Sequence, residues 1–169
     1  MAERAWRVAQ LQDVPASSER PGFSRDDYLS QMGERAPHIL ERWADAQARF
    51  PHDHRRTHDL RGFLGIDSFG ANAFEAAEGE LLVVPHDELA EGEQQEELYI
   101  VIEGRARFTC DGDEVELGPG EVLFARPGVK REAVAAETPT MLLIIGGRPG
   151  KPYAPPIWAG DWRGYDETT

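Results

Sequence analysis

The sequence contains one cysteine, Cys110, so no disulfide can form within the chain. A lone thiol suits a reducing compartment, and the expected location is the cytoplasm. Cys110 falls at the end of a predicted strand, beside a turn and without an adjacent basic residue to lower its pKa. It is therefore expected to be a small strand residue and not a reactive nucleophile. Long hydrophobic runs are also missing. None approaches the ~20 residues that span a bilayer, and the opening MAERAWRVAQLQD lacks the apolar core of a secretory signal. Basic residues are scarce, at 18 Lys and Arg against 31 Asp and Glu, and the formal net charge is −13. With no long basic stretch, the surface repels phosphate backbones, so nucleic acid is excluded as an expected partner. No internal repeat is visible, which excludes a duplicated domain.

What remains is enough for one folded unit. The 169 residues are 40% hydrophobic and 29% charged, ordinary proportions for a globular domain with a sizeable core. Residues 1–57 read as an N-terminal arm with helices, residues 58–148 as a β-rich body, and residues 149–169 as a Pro/Gly-rich strap. Ser24 can cap a helix whose first turn carries Asp26 and Asp27, and Pro37 should break it. Ile39, Leu40, Trp43, Ala46 and Phe50 then fall on one helical face before Pro51 stops the run. From about residue 60, short apolar runs alternate with turn residues: LGIDSFGANAF, ELLVVP, ELYIVI, ARFTC, VEL, VLFA, EAVA and MLLIIGG. Asp111-Gly112 predicts a two-residue hairpin, because both central positions of such a turn need positive φ. Evenly spaced short strands predict a mainly β, antiparallel double-sheet barrel, with helices confined to about residues 24–50. The tail carries Tyr153, Trp158 and Trp162 among prolines and glycines, which suggests a strap held against a surface.

Residues 96–132 read EELYIVIEGRARFTCDGDEVELGPGEVLFARPGVKRE. This stretch resembles the cupin superfamily. Its first block ends in Glu97, six residues and Gly104; its second runs from Gly120-Glu121 through VLFA to Pro127-Gly128, with Arg131 three residues further on. The chain also resembles small single-domain bacterial cupins in Ser68-Phe69-Gly70, in His86-Asp87-Glu88 and in Arg148-Pro149-Gly150 leading to Trp158. The resemblance implies a jelly-roll barrel. It also implies a homodimer, because cupin barrels commonly pair through an open sheet, and here an apolar helix face and an aromatic tail also need cover.

Cupins that hold iron, manganese, zinc or nickel usually supply three histidines and one glutamate. Glu97 stands at the glutamate position, but Arg131 fills a histidine position, and LAEGEQQE offers no His-x-His pair ahead of Glu97. Glu91 and Glu93 read as solvated loop residues. If the loop is about four residues longer than usual, His86 and Glu88 take the places of the missing pair, and strand alternation lets both point the same way. One reading is thus a metal site of His86, Glu88 and Glu97, suited to Mn²⁺, Fe²⁺ or Zn²⁺ and to an enzyme of dioxygenase or isomerase type.

Arg131 supports a different reading, since a guanidinium is always charged and has no lone pair for a metal. Inside a barrel it needs an anion, and Glu97 is the partner the resemblance implies. Arg126 and Lys130 add positive charge nearby, with Lys130 expected to turn outward. At the barrel rim, Arg131 would instead meet only solvent or the tail. Strand parity puts Tyr99 beside Glu97, as a packed core tyrosine, a ligand-orienting hydroxyl or a general acid. Metal-independent sugar-nucleotide epimerases of this superfamily use a His–Asp pair and a tyrosine. His86, Asp87 and Tyr99 match those types, but adjacent strand residues face opposite ways. The favoured expectation is a metal-free or atypical cupin without a cofactor. It binds a small, anionic organic ligand through His86, Glu88, Glu97, Tyr99 and Arg131. The His-x-His spacing of His52 and His54, with His58 in PHDHRRTHD, reads as a polar connector beside Arg55 and Arg56.

Overall fold

The computed structural model describes residues 8–16, 41, 44–46, 48–49, 55–90 and 94–153. Nine strands carry the fold: β1 (Arg56–Asp59), β2 (Gly70–Ala76), β3 (Leu81–His86), β4 (Glu96–Glu103), β5 (Ala106–Cys110), β6 (Asp113–Leu117), β7 (Val122–Ala125), β8 (Arg131–Ala135) and β9 (Thr140–Gly147). They form a five-stranded sheet in the order β1-β2-β9-β4-β7 and a four-stranded sheet in the order β3-β8-β5-β6. Every described pairing is antiparallel. No ladder joins the two sheets among the described residues, so the expected closed barrel is a two-sheet jelly roll. The expected strands from ELLVVP onward all form.

Alternation explains the core. On β4, Tyr99 and Val101 are fully buried while Ile102 on the opposite face is 45% exposed, the parity expected from Glu97. Phe108 and Ala106 of β5, Ala133 and Ala135 of β8, and Leu142 of β9 meet them between the sheets. The Tyr99 and Phe108 rings make an edge-to-face contact at 5.3 Å across the gap. Asp111 (φ 50°) and Gly112 (φ 95°) turn β5 into β6 as the hairpin signal requires. Cys110 is a partly buried strand residue, and burial raises its thiol pKa.

Two expectations need correction. LGIDSFGANAF is extended only from Gly70; Leu60–Leu64 is a short helix, α1, outside the range expected for helices. Its cap is local: the Asp59 carboxylate accepts from Gly62 N at 2.8 Å, and Gly65 closes the turn at φ 69°. The HDHRRTHD stretch is not all connector, because His58 lies on β1 and is 1% exposed. Its Nδ1 donates to the Val14 carbonyl at 2.6 Å and so ties the N-terminal segment to the sheet. Of the expected 24–50 helices, residues 41, 44–46 and 48–49 are helical, and Arg49 grips Glu132 of β8 with two bonds of 2.6 and 2.7 Å. The first helix and the strap beyond residue 153 lie outside the described residues.

Gly104 ends β4 at φ 70°, and a Cβ there would press into the Pro139 carbonyl and Thr140. Gly104→Ala is therefore expected to cost roughly 1–3 kcal/mol from backbone strain alone, with the clash adding to it. Urea denaturation measures that loss; an unchanged midpoint would contradict the packing described here.

Candidate functional site

The site is assembled from both sheets at one end of the sandwich. Glu97 and Tyr99 are alternate, inward residues of β4, while His86 ends β3 and Arg131 begins β8, paired directly in register. Glu88 follows two residues after β3. Its backbone takes the left-handed conformation at φ 56°, where the chain turns its side chain back to 6% residue exposure. Gln94, also left-handed, donates its N–H to the Glu88 carbonyl at 3.0 Å and closes the connection.

Glu97 Oε2 is the hub. It accepts from Arg131 Nη2 at 2.6 Å and from the Tyr99 hydroxyl, and lies 3.2 Å from His86 Nε2. Arg131 Nε donates to the Tyr99 oxygen at 3.0 Å and its Nη1 to the Val129 carbonyl at 3.0 Å. The guanidinium thus engages a carboxylate, a phenol and a carbonyl, the network a buried cation needs. His86 Nδ1 lies 2.6 Å from the Val84 carbonyl, which can only accept, so that nitrogen carries hydrogen and Nε2 faces the carboxylates. Glu88 Oε1 stands 3.6 Å from the same Nε2, and Glu88 Oε2 accepts from Gln95 N at 3.4 Å.

Electrostatics follow from this geometry. Burial alone would raise the Glu97 pKa, but hydrogen bonds and charge from His86 and Arg131 outweigh it and hold the carboxyl at about 2. Burial, together with the Glu97 charge, pushes the Tyr99 phenol well above its ordinary value, so it remains a donor. Burial opposes the Arg131 charge, and the neighbouring oxygens of Tyr99 and Glu97 more than offset it.

The structure brings together all five residues singled out in the sequence, and Arg131 lies inside, not at a rim. Arg126 and Lys130 are both exposed and add no charge to the interior. The Arg131 side chain is 0% exposed and bonded to Glu97. Asp87 accepts from Leu89 N at 3.1 Å. His52, His54, Glu91 and Glu93 lie outside the described residues. Gln95, 8% exposed, is a site residue the sequence reading missed; the two-residue period Gln95–Glu97–Tyr99 was the available signal. Gly146 faces Glu97 across the ladder, and a Cβ there would lie 3.1 Å from Gln95 Oε1. Beside the cluster, Pro85, His86, Asp87, Thr109, Gly112, Lys130, Arg131 and Glu132 line a depression of about 410 Å³.

The family model for the cupin domain matches residues 81–146, which span β3 to β9. Over this stretch the chain carries a cupin domain. Among solved structures it is similar to a cupin protein from Bacteroides fragilis, at 27% identity over 59% of this chain and 80% of that one, with a TM-score of 0.49. A sugar phosphate isomerase from a cupin superfamily, from Silicibacter pomeroyi, matches at 22% identity over 56% of this chain and 59% of its own, TM-score 0.48. The cupin domain of an XRE family transcriptional regulator from Enterobacter cloacae matches at 17% identity over 56% and 97%, TM-score 0.47. A search of curated proteins gave no match. No helix among the described residues is long and apolar enough to cross a membrane.

His86, Glu88 and Glu97 together form a candidate metal-binding set, one ligand atom from each lying within 4.8 Å of the others. One imidazole and two carboxylates are donors a Mn²⁺, Fe²⁺ or Zn²⁺ ion accepts. The fit stops there, because a guanidinium nitrogen lies 2.6 Å from Glu97 Oε2 and supplies positive charge where an ion would. The set also falls one ligand short of the superfamily's usual four.

Proposed function

We propose that this cupin is a binding protein that takes a small organic molecule at the open end of its sandwich, with no resident transition metal. The Arg131–Glu97 ion pair carries the reading. A fixed guanidinium bonded at 2.6 Å to the glutamate at the metal-ligand position does the charge-balancing work of a cation. The adjacent depression of about 410 Å³ is within the size range of small-molecule sites. The second reading, a metal-dependent enzyme on His86, Glu88 and Glu97, is supported by the spacing of the three donors. Arg131→His separates the two. It should convert the site to four-ligand character, so that Zn²⁺ or Mn²⁺ raises the melting temperature of the variant but not of the wild type. Equal metal stabilisation of the wild type would favour the enzyme.

We also propose a homodimer. Val122 and Phe124 on β7 are 56% and 54% exposed, and register sets them beside Ile100 and Leu98 on the outer face that also carries Ile102. β7 is an edge of its sheet among the described residues. On a chain of net charge −13, an uncharged strip is where two copies can meet without repulsion. Light scattering at micromolar concentration should give twice the chain mass, and Val122→Glu with Phe124→Glu should give the monomer. A monomeric wild type would contradict the assembly.

A further inference from the structure

Two arginines at one corner of the fold have no acid to meet. Arg49, Arg56, Arg105, Arg107 and Arg131 each reach a carboxylate. Arg61 of α1 and Arg148, the residue after β9, are partly buried, yet among the described residues neither forms an ion pair. Arg148 Nε is buried and has no hydrogen-bond partner there. A buried donor left unmet costs free energy, which a bound acceptor would recover.

The fold brings the two side chains to one place. α1 packs on β2, and Gly70 at the start of β2 pairs in register with Gly146, two residues before Arg148. Gly70 alternates with Phe74 and Ala76 of the core, so its missing side chain leaves room on the inner face. The Tyr153 hydroxyl takes that room, since a Cβ on Gly70 would lie 3.0 Å from it. Tyr153 has no hydrogen bond among the described residues. Burial raises its pKa, the charges of Arg61 and Arg148 both pull it down, and Asp59 acts against them. Asp59 is the acid of this group, and its Oδ1 accepts from Gly62 N as the cap of α1. Glu97 also pairs with Gly146, so Gly70 lies two strands from it, roughly 10 Å away at the usual strand spacing. The depression of about 410 Å³ is lined from the other sheet.

We propose that Arg61, Arg148 and the Tyr153 hydroxyl form a binding site for the phosphoryl group of a small molecule. A phosphate monoester carries about −1.5 to −2 charge at neutral pH and three strong acceptor oxygens, which two guanidinium forks and a hydroxyl can all engage. A single carboxylate would leave one cation unanswered. The site does not depend on the binding role proposed above.

The test is calorimetric titration of full-length protein with inorganic phosphate and with acetate. Phosphate should saturate one site per chain, and acetate should bind at least about tenfold more weakly. Arg61→Gln and Arg148→Gln should each weaken phosphate binding by at least about tenfold, and Tyr153→Phe by about threefold. Arg126→Gln, which removes an exposed arginine elsewhere, should leave it unchanged. If either glutamine variant fails to fold, the corresponding lysine variant, which keeps the charge and loses the fork, should show an intermediate loss. Absence of saturable phosphate binding would overturn the proposal. So would acetate binding as tightly as phosphate, or an equal loss in Arg126→Gln.

Discussion

Arg131→Met is expected to destabilise the protein by roughly 3–5 kcal/mol, because it leaves the Glu97 carboxylate buried without its cation. Arg131→Met combined with Glu97→Gln should recover much of that loss, since a neutral amide beside a thioether no longer needs a counter-charge. The reason is the network: Glu97 Oε2 accepts from the guanidinium at 2.6 Å and from the Tyr99 hydroxyl, while Arg131 and Tyr99 are both fully or nearly fully buried. Tyr99 remains as a donor to the single variant's carboxylate, so the loss should fall short of complete unfolding. Chemical denaturation of the wild type, both single variants and the double variant gives the coupling energy directly. Additive single effects would mean that the pair does not act as a unit.

Acid should weaken the fold through the same carboxyl. The folded Glu97 pKa of about 2 lies below the ordinary 4.5, so the unfolded chain binds that proton more readily than the folded one. Its contribution to stability is therefore complete above about pH 4.5, declines as pH falls and is lost by about pH 2. The size is on the order of 3 kcal/mol across that window. Other carboxylates titrate in the same range, so the informative quantity is a difference. The melting temperature of the wild type should fall more steeply between pH 4.5 and 2 than that of Arg131→Met/Glu97→Gln. Parallel curves would show that Glu97 is not held low.

Much of this architecture is legible in the sequence. Period-two alternation in ELYIVI places Tyr99 and Val101 inside, and Asp111-Gly112 declares its hairpin, because both depend on local geometry alone. The features that escape depend on distant contacts or unusual backbone. His58 lies in a polar stretch yet is buried and bonded to the Val14 carbonyl, a contact between residues 44 positions apart. Asp59 and Gly65 are ordinary helix-boundary residues, but the apolar run around them reads equally well as a strand. At the site, Glu97, Tyr99 and Arg131 follow from strand parity and from the place of each in the two sequence blocks. The inward turn of Glu88 requires a positive φ at a glutamate, which nothing in HDELAEG announces.

The central claim is that Arg131 stands in for a metal ion, and elemental analysis of wild-type protein purified without chelator tests it most directly. The expected result is transition-metal content well below one ion per chain, unchanged after incubation with Mn²⁺, Fe²⁺ or Zn²⁺ and desalting. One tightly held ion per chain, lost in a His86→Ala variant that still folds, would contradict the account.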